Sequence, residues 1–147
     1  MALSRDPNKA MQEMMFTIDR LRNILVEETT ALKDADTQSF LAMQDKKVDI
    51  ARDYLEGMDQ LIVRKEEIKA ADATILKKLE DMRNDFGDVA HENHAALSRM
   101  KNGMKRLGER IMETARETAK REQQFVYGSN GILQNAAGGT IGVSESA

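Results

Sequence analysis

Apolar side chains recur at alternating steps of three and four residues through most of the chain, and this spacing is the strongest constraint on its fold. An α-helix has about 3.6 residues per turn, so residues at these steps share one face, which must be buried against another element. The only proline, Pro7, precedes the first such stretch, where its missing N–H costs little. We therefore predict an all-α fold, an elongated antiparallel bundle of three long helices.

The predicted helices span about residues 9–33, 37–65 and 73–123. Asp36 is a predicted N-cap for the second helix, because a short acidic side chain accepts a hydrogen bond from a first-turn N–H. The first apolar seam is Met11, Met14, Ile18, Leu21, Leu25, Glu28 and Leu32. The second seam is Leu41, Gln44, Val48, Ala51, Leu55, Met58 and Ile62. The third seam is Leu79, Met82, Phe86, Val89, Asn93, Leu97, Met100, Met104, Leu107 and Ile111.

The turn between the second and third helices has two candidate positions. One is residues 65–74, which contain neither glycine nor proline but include Asp72 as a potential cap. The other is Phe86-Gly87-Asp88. With the first choice the third helix would be roughly 75 Å long, at about 1.5 Å per residue. A compact domain of this size does not need such length, so we expect one end of the helix to project.

Residues 128–147 differ sharply in composition from the rest of the chain. They hold five of the nine glycines and only one of the 47 charged residues, Glu145. A segment of this kind cannot bury enough apolar area to offset about 1–2 kcal/mol of backbone entropy per residue. We therefore predict a helical bundle over residues 1–127 and a flexible Gly/Ala/Ser/Asn-rich tail over 128–147, whose apolar residues can dock on a partner.

Composition argues against several classes of function. The chain has no cysteine, and its net charge of -3 disfavours nonspecific nucleic-acid binding. No glycine-rich phosphate loop or nucleophile elbow is present, so we predict neither an enzyme nor a cofactor. The first nine residues do not resemble a signal peptide, and no apolar run approaches the roughly 18 residues of a membrane span. We expect a soluble, unprocessed cytoplasmic protein without membrane insertion.

Two histidines are the only candidates for a metal site. His91 and His94 stand three residues apart on the predicted third helix. No third imidazole or carboxylate stands at the spacing of a known helical site, so we predict surface histidines and no bound metal. A metal-assisted catalyst built on these two side chains is the alternative from the enzyme class.

The third helix carries the strongest indication of protein binding. Methionine is unbranched and adaptable, which suits a surface that accepts another helix, although it also fills ordinary cores. Residues 99–121 carry eight basic and three acidic side chains, either as an ordinary solvated face or as a surface that attracts an acidic partner segment. Asn93 has two interpretations, a buried residue that fixes helix register or a functional hydrogen-bonding group. The predicted partner-binding residues are Met100, Met104, Leu107, Ile111, Met112, Phe125, Ile132 and Leu133.

Three stretches carry a resemblance to a known family. The first comprises Glu28-x-x-x-Leu32, Phe40-Leu41, Lys47, Ile50 and Leu55. The second is His91-Glu92-Asn93-His94-Ala95-Ala96-Leu97. The third is Phe125-Val126-Tyr127-Gly128-Ser129-Asn130-Gly131. Together they resemble the first hairpin, the asparagine-containing third helix and the Tyr-Gly-x-x-Gly segment of FlgN-type flagellar export chaperones.

The resemblance implies a chaperone that binds the C-terminal helices of hook–filament junction proteins before export. It also implies delivery to the cytoplasmic domain of the export gate, with Tyr127 as the residue that contacts the gate. The short second loop and the Gly/Ala-rich residues 136–147 depart from the family pattern. The alternative is a self-assembling coiled-coil protein without a secretion substrate, in which the seams serve homo-oligomerisation.

Overall fold

The computed structural model describes the backbone of residues 1–136 and the side chains of residues 1–128, and all its regular elements are helices. The chain forms two compact units, unit 1 over Met1–Met100 and unit 2 over Lys101–Ala147. The all-α prediction is confirmed over this part of the chain, but five helices are present where the sequence predicts three. They are α1 Pro7–Lys33, α2 Thr37–Ala42, α3 Gln44–Val63, α4 Lys65–Lys69 and α5 Ala73–Ala136.

The start of α1 and the link from α1 to α2 follow local signals in the sequence. Asp6 caps α1 by accepting a hydrogen bond from the Asn8 N–H at 3.0 Å, and Pro7 occupies the first turn. After α1 the chain reverses through Ala35, whose φ of 54° is left-handed. Asp36 then accepts from the Ser39 N–H at 3.0 Å. The prediction that Asp36 caps the second helix is confirmed.

The predicted second helix is interrupted at Met43. The Gln44 side chain donates to the Phe40 carbonyl oxygen at 2.7 Å, and this carbonyl is the usual i−4 acceptor of the Gln44 backbone N–H. The Gln44 side chain therefore satisfies the Phe40 carbonyl at the end of α2, in place of the usual backbone hydrogen bond of a helix. Met43 keeps a helical backbone conformation, so α3 continues with little change of conformation.

The second turn lies at residues 65–74 and not at Phe86-Gly87-Asp88. The short helix α4 and the residues after it reverse the chain, and Asp72 accepts hydrogen bonds from Thr74 and Ile75 at 2.8 and 3.2 Å. Gly87 lies inside α5. The cap proposed for Asp72 is therefore present, and the glycine carries no turn.

Within unit 1, α3 runs antiparallel to α1, and the first part of α5 runs parallel to it. The Met1 amino group contacts Glu56 at 2.6 Å, whereas Glu28 farther along α1 contacts Lys47, earlier in α3. On the other side, the Asp72 N–H donates to Asn8 and Lys33 pairs with Glu92. Successive long helices of unit 1 therefore alternate in direction.

The core of unit 1 consists of two neighbouring clusters. One contains Ala10, Met11, Met14, Ile18, Leu61, Ile68 and Leu79. The other contains Leu21, Ile24, Leu25 and Ile50. Tyr54 and Phe86 pack against both clusters with their ring centroids 5.2 Å apart. The first predicted seam accordingly faces the core along most of α1.

The second predicted seam faces the core only in part, which corrects the sequence-based assignment. Its members Ala51 and Met58 pack against the two clusters, but four large members are exposed. The residues that α3 buries are Ile50, Gly57 and Leu61. A Cβ on Gly57 would lie 2.7 Å from the sulfur of Met14, so the missing side chain allows α1 to pack closely there. The exposed members are Leu41, Val48, Leu55 and Ile62.

Helix α5 is longer than the sequence predicts. The prediction ends the third helix near Gln123 and begins the tail at Gly128, whereas α5 runs to Ala136. Gly128 and Gly131 lower helix propensity but, unlike proline, leave every backbone N–H able to donate within the helix. Residues 137–147 of the predicted tail lie outside the described residues.

Candidate protein-binding surface

A row of exposed apolar side chains follows one face of α5 in unit 2. We call it the 104–125 row; Thr114 and Thr118 continue it between Ile111 and Phe125. Its four apolar members are between 58% and 76% exposed, and the described residues of unit 2 form this helix alone. An apolar row of this length on a helix is a typical docking surface for another protein segment. The apolar members are Met104, Leu107, Ile111 and Phe125.

The positions of the row follow a heptad pattern. Met104, Ile111, Thr118 and Phe125 stand seven residues apart, with Leu107 and Thr114 between them at the complementary steps of three and four. Such spacing keeps a seam of side chains facing one partner helix along several turns. The row therefore has the geometry of one half of a helix–helix interface.

Charges around the row are distributed unevenly. Residues 101–122 contain seven basic and four acidic side chains, so this part of the helix is net positive. At about 100° per residue, Arg110 and Glu117 lie along one side of the row, whereas Arg121, seven residues after Thr114, lies within the row. The other side is mostly Gly108, Ala115 and Ala119, with Glu122 near the Phe125 end. One arginine thus lies beside the apolar row and one within it, on a helix segment that is net positive.

The structure separates the eight predicted partner-binding residues into four groups. Met104, Leu107, Ile111 and Phe125 form the row. Met112 is 58% exposed on the same helix but lies outside the row, about 100° around the helix from Ile111. Met100 is half-buried in unit 1 and does not share this exposed surface. The side chains of the remaining two, Ile132 and Leu133, lie outside the described residues.

Met100 belongs to a cavity of about 360 Å³ at the end of unit 1. The cavity lies where the end of α1, the start of α2 and α5 meet, and Phe40 and Ala96 contribute apolar walls. Lys33, Asp36 and Arg99 also line it. Sequence spacing places Met100 on the same seam as Met104, but Met100 alone shares a cavity with residues of other helices.

Tyr127, the predicted export-gate contact, is 67% exposed on α5. It follows Phe125 by two residues, which places it about 200° around the helix from that side chain. The tyrosine therefore faces away from the 104–125 row. A partner on the row and a second partner at Tyr127 would approach the helix from different sides.

Asn93 is buried and joins a polar network inside unit 1. Its side-chain amide donates to Glu28 at 2.9 Å, to the Thr29 hydroxyl at 3.2 Å and to the Leu25 carbonyl at 3.3 Å. These contacts fix the position of α5 against α1. Of the two interpretations of Asn93, the structure favours the register-fixing one.

Glu28 lies at the centre of this network and is fully buried. The Lys47 ammonium and the Gln44 amide each donate to one carboxylate oxygen at 2.7 Å, and Asn93 donates to the other. Burial raises the pKa of the Glu28 carboxyl, but the hydrogen bonds from Lys47, Gln44 and Asn93 together lower it below its ordinary value. Glu28 is therefore ionised and links α1 to α3 and α5.

Sequence reasoning missed this network as a unit. Glu28 and Gln44 are visible as polar interruptions of two apolar seams, and Asn93 interrupts the third. Three polar residues on three seams are a usable signal, because buried polar groups need partners and can satisfy one another. Lys47 gives no signal by spacing, since it lies on the flank of its seam.

The two histidines are exposed on α5. Among the residues whose side chains are described, no three His, Cys, Asp or Glu side chains converge in a way that could hold a metal ion. None of the described helices combines the length and the apolar character needed to cross a membrane.

The chain matches no protein-family model, no curated protein and no solved structure. Its function is therefore inferred from its own residues and surfaces.

Proposed function

We propose that the chain is a cytoplasmic chaperone of flagellar type III export, similar to the FlgN type, and acts by binding rather than by catalysis. Its substrates would be the C-terminal helices of hook–filament junction proteins, which it delivers to the cytoplasmic domain of the export gate. The observation that carries the proposal is the 104–125 row, an exposed apolar row on a net-positive helix segment.

The row is suited to an amphipathic helix. A partner helix with apolar residues at steps of three and four can pack its own seam against Leu107, Ile111 and their neighbours. Each fully buried apolar side chain contributes about 1.5–3 kcal/mol relative to exposure. Covering the seam of an export substrate in this way would also prevent that substrate from associating prematurely.

Charge adds selectivity to this contact. Because Arg110 lies beside the row, Arg121 lies within it and the segment is net positive, a partner helix with acidic residues beside its seam would bind faster. We therefore expect the bound segment of the substrate to be acidic along one side of its apolar face. The resemblance to FlgN-type chaperones supports the choice of junction proteins as substrates.

The test measures binding of a peptide that comprises the C-terminal helix of a hook–filament junction protein from the same bacterium. Leu107→Glu should weaken binding at least about tenfold, because it places a charge on the seam. The control is Asn102→Glu, which adds the same charge about 140° around the same helix. Titration calorimetry on both variants, with helicity checked by circular dichroism, gives the comparison.

Equal affinity of wild type and Leu107→Glu for that peptide would show that the peptide does not bind at the 104–125 row. If the wild-type protein binds no junction-protein helix and instead sediments as a stable elongated oligomer, the chaperone function is wrong. The self-assembling coiled-coil protein would then be the better description.

A further inference from the structure

A second exposed apolar row lies on α2 and α3, and no described residue covers it. We call it the 41–62 row. Its four members are between 55% and 63% exposed. They stand one heptad apart, so they follow one face of the α2–α3 helix path. Contiguous exposed apolar surface of this kind marks a site of interaction. The members are Leu41, Val48, Leu55 and Ile62.

The 41–62 row and the 104–125 row have matching lengths and periods. From Leu41 to Ile62 is 21 residues, and so is the step from Met104 to Phe125. Each row therefore spans about 31 Å at about 1.5 Å per residue, over three heptads. Two helical seams of equal length and equal period can pack along their whole extent without overhang.

The charges around the two rows are opposite in net sign. Five exposed charged residues lie along one side of the 41–62 row, four acidic and one basic. Arg52 pairs with Asp49, and the Met1 amino group pairs with Glu56. Asp45 and Asp59 form no ion pair within the described residues, so they add net negative charge. The five residues are Asp45, Asp49, Arg52, Glu56 and Asp59.

The 104–125 row has the complementary arrangement. Residues 101–122 are net positive, with Arg110 beside the row and Arg121 within it, and the ion pairs among the described residues include neither arginine. The acidic side of the 41–62 row can meet these two arginines when the two apolar rows pack together. Their meeting would select one orientation of the two helices.

From these matches we propose that two copies of this chain associate, with the 104–125 row of each copy docked on the 41–62 row of the other. The occupant of the 41–62 row is thus the net-positive helix segment of a second copy. Each chain supplies both surfaces, so a reciprocal exchange satisfies both contacts at once and closes into a two-fold dimer. This association does not depend on the proposed chaperone function.

Opposite charge favours this pairing over the pairing of like rows. Two 41–62 rows would bring together surfaces that both carry Asp45 and Asp59, and two 104–125 rows would do so with their arginines. Like charges at a close interface disfavour the contact, whereas opposite charges favour it and set its register. The unlike pairing is therefore the one that the surface chemistry supports.

The first experiment is sedimentation equilibrium of the full-length protein over a range of concentrations. We expect a reversible association from the 16.5 kDa chain to a species of twice that mass. A single 16.5 kDa species up to about 0.1 mM, where a micromolar dimer would be largely formed, would overturn the proposal.

A charge exchange between two variants tests which surfaces meet. The first variant, Asp45→Lys with Asp59→Lys, gives both rows a basic side, and the second, Arg110→Glu with Arg121→Glu, gives both an acidic side. Each variant alone should dimerise at least about tenfold more weakly than wild type, because both of its contacts then join like charges. Mixed in equal amounts, the two should form a heterodimer more readily than either forms a homodimer.

The reason lies in the two contacts of the heterodimer. One contact joins the two unaltered rows, acidic on α3 of the second variant against basic on α5 of the first. The other joins the two altered rows, basic on α3 of the first variant against acidic on α5 of the second. Native mass spectrometry distinguishes the heterodimer from homodimers by mass. Dimers of wild-type strength for either variant alone, or no heterodimer in the mixture, would show that the rows do not meet in this way.

An apolar substitution gives an independent readout. Leu55→Glu should abolish dimerisation, whereas Phe16→Glu should not, since Phe16 is similarly exposed but lies on α1 outside both rows. Circular dichroism establishes that both variants fold. Dimerisation of Leu55→Glu at wild-type strength would overturn the assignment of the 41–62 row.

Discussion

At the scale of single residues, the Glu28 network explains how a thin helical core fixes one arrangement. Glu28 is fully buried, yet three side chains from two other helices satisfy its carboxylate. Breaking a buried ion pair by removing one partner leaves an uncompensated charge, whereas replacing both is often nearly neutral. The network therefore contributes mainly to specificity, by making only one register of α1, α3 and α5 favourable.

Lys47→Met should destabilise the protein by about 3 kcal/mol, because it leaves the Glu28 carboxylate buried without its cation. The double variant Glu28→Gln with Lys47→Met should recover part of that loss, since neither charge remains. Urea unfolding of wild type, both single variants and the double variant completes a double-mutant cycle. Strictly additive effects would mean that the two side chains do not interact energetically.

The pH dependence of stability gives a second test of Glu28. Its folded pKa lies below the ordinary value of 4.5. A carboxyl of this kind stabilises the fold above its unfolded pKa, and the contribution is lost as the pH falls through the folded pKa. We expect Glu28→Gln to cost about 2 kcal/mol at neutral pH and progressively less as the pH falls below 4.5.

The control for this measurement is Glu92→Gln, which removes an exposed ion pair with Lys33. An exposed pair contributes little, so this variant should keep close to wild-type stability at every pH. A cost for Glu28→Gln that does not change between neutral and acid pH would contradict the assignment of an ionised Glu28.

Tyr127 belongs to the same scale, because its predicted role is that of one side chain. If the proposed function holds, Tyr127→Ala retains binding of the junction-protein helix and loses docking to the cytoplasmic domain of the export gate. The reason is its position about 200° around α5 from Phe125. Binding assays with each partner separate the two effects, and unchanged gate docking would remove Tyr127 from that role.

At the scale of the elements, α3 shows where sequence reasoning succeeds and where it stops. The cap at Asp36 and the turn that ends at Asp72 are local, so the sequence predicts them. The buried face of α3 is not local, because the helix carries two apolar faces and either could have been buried. Close packing at Gly57 against Met14 and the Lys47–Glu28 pair select the face with Ile50 and Leu61.

The surface of α5 likewise depends on both local spacing, which the sequence predicts, and non-local packing, which it does not. Spacing alone predicts that Leu107 and Ile111 share a face with Met100, and that face does contain an exposed row. Spacing cannot show where neighbouring helices stop covering the seam, because this depends on the lengths of α1 and α2. Met100 is therefore half-buried, whereas Met104 is 65% exposed.

Two leucines on α3 test which of its faces is the core. Leu61 is 7% exposed and Leu55 is 62% exposed, so the same substitution by alanine samples both faces. We expect Leu61→Ala to cost about 3 kcal/mol of unfolding free energy and Leu55→Ala less than about 0.5 kcal/mol. Denaturation should be measured at low protein concentration, because a dimer would add a concentration-dependent contribution. A larger cost for Leu55→Ala than for Leu61→Ala would mean that the face with Leu55, which the sequence predicts, is the buried one.

At the scale of the whole molecule, the two proposals share one surface. The 104–125 row binds the helix of an export substrate in one and the 41–62 row of a second copy in the other. In the dimer, the 104–125 row would be covered while no substrate is bound. Its apolar side chains would then not be exposed to unrelated proteins. Two ligands of one surface compete, and the affinity for either is reduced by the fraction of surface that the other occupies.

We therefore expect the junction-protein helix to convert the dimer into a complex of one chain with one peptide, and to do so more easily as the protein is diluted. Leu55→Glu, which cannot dimerise, should bind the peptide more tightly than wild type at high protein concentration and equally at low concentration. Leu107→Glu should lose both interactions, because the row on which they depend is altered. Sedimentation with a labelled peptide follows both species at once. A ternary species containing an intact dimer and bound peptide would show that the peptide and the second copy bind different surfaces. The dimer contact would then have to use a face of α5 other than the 104–125 row.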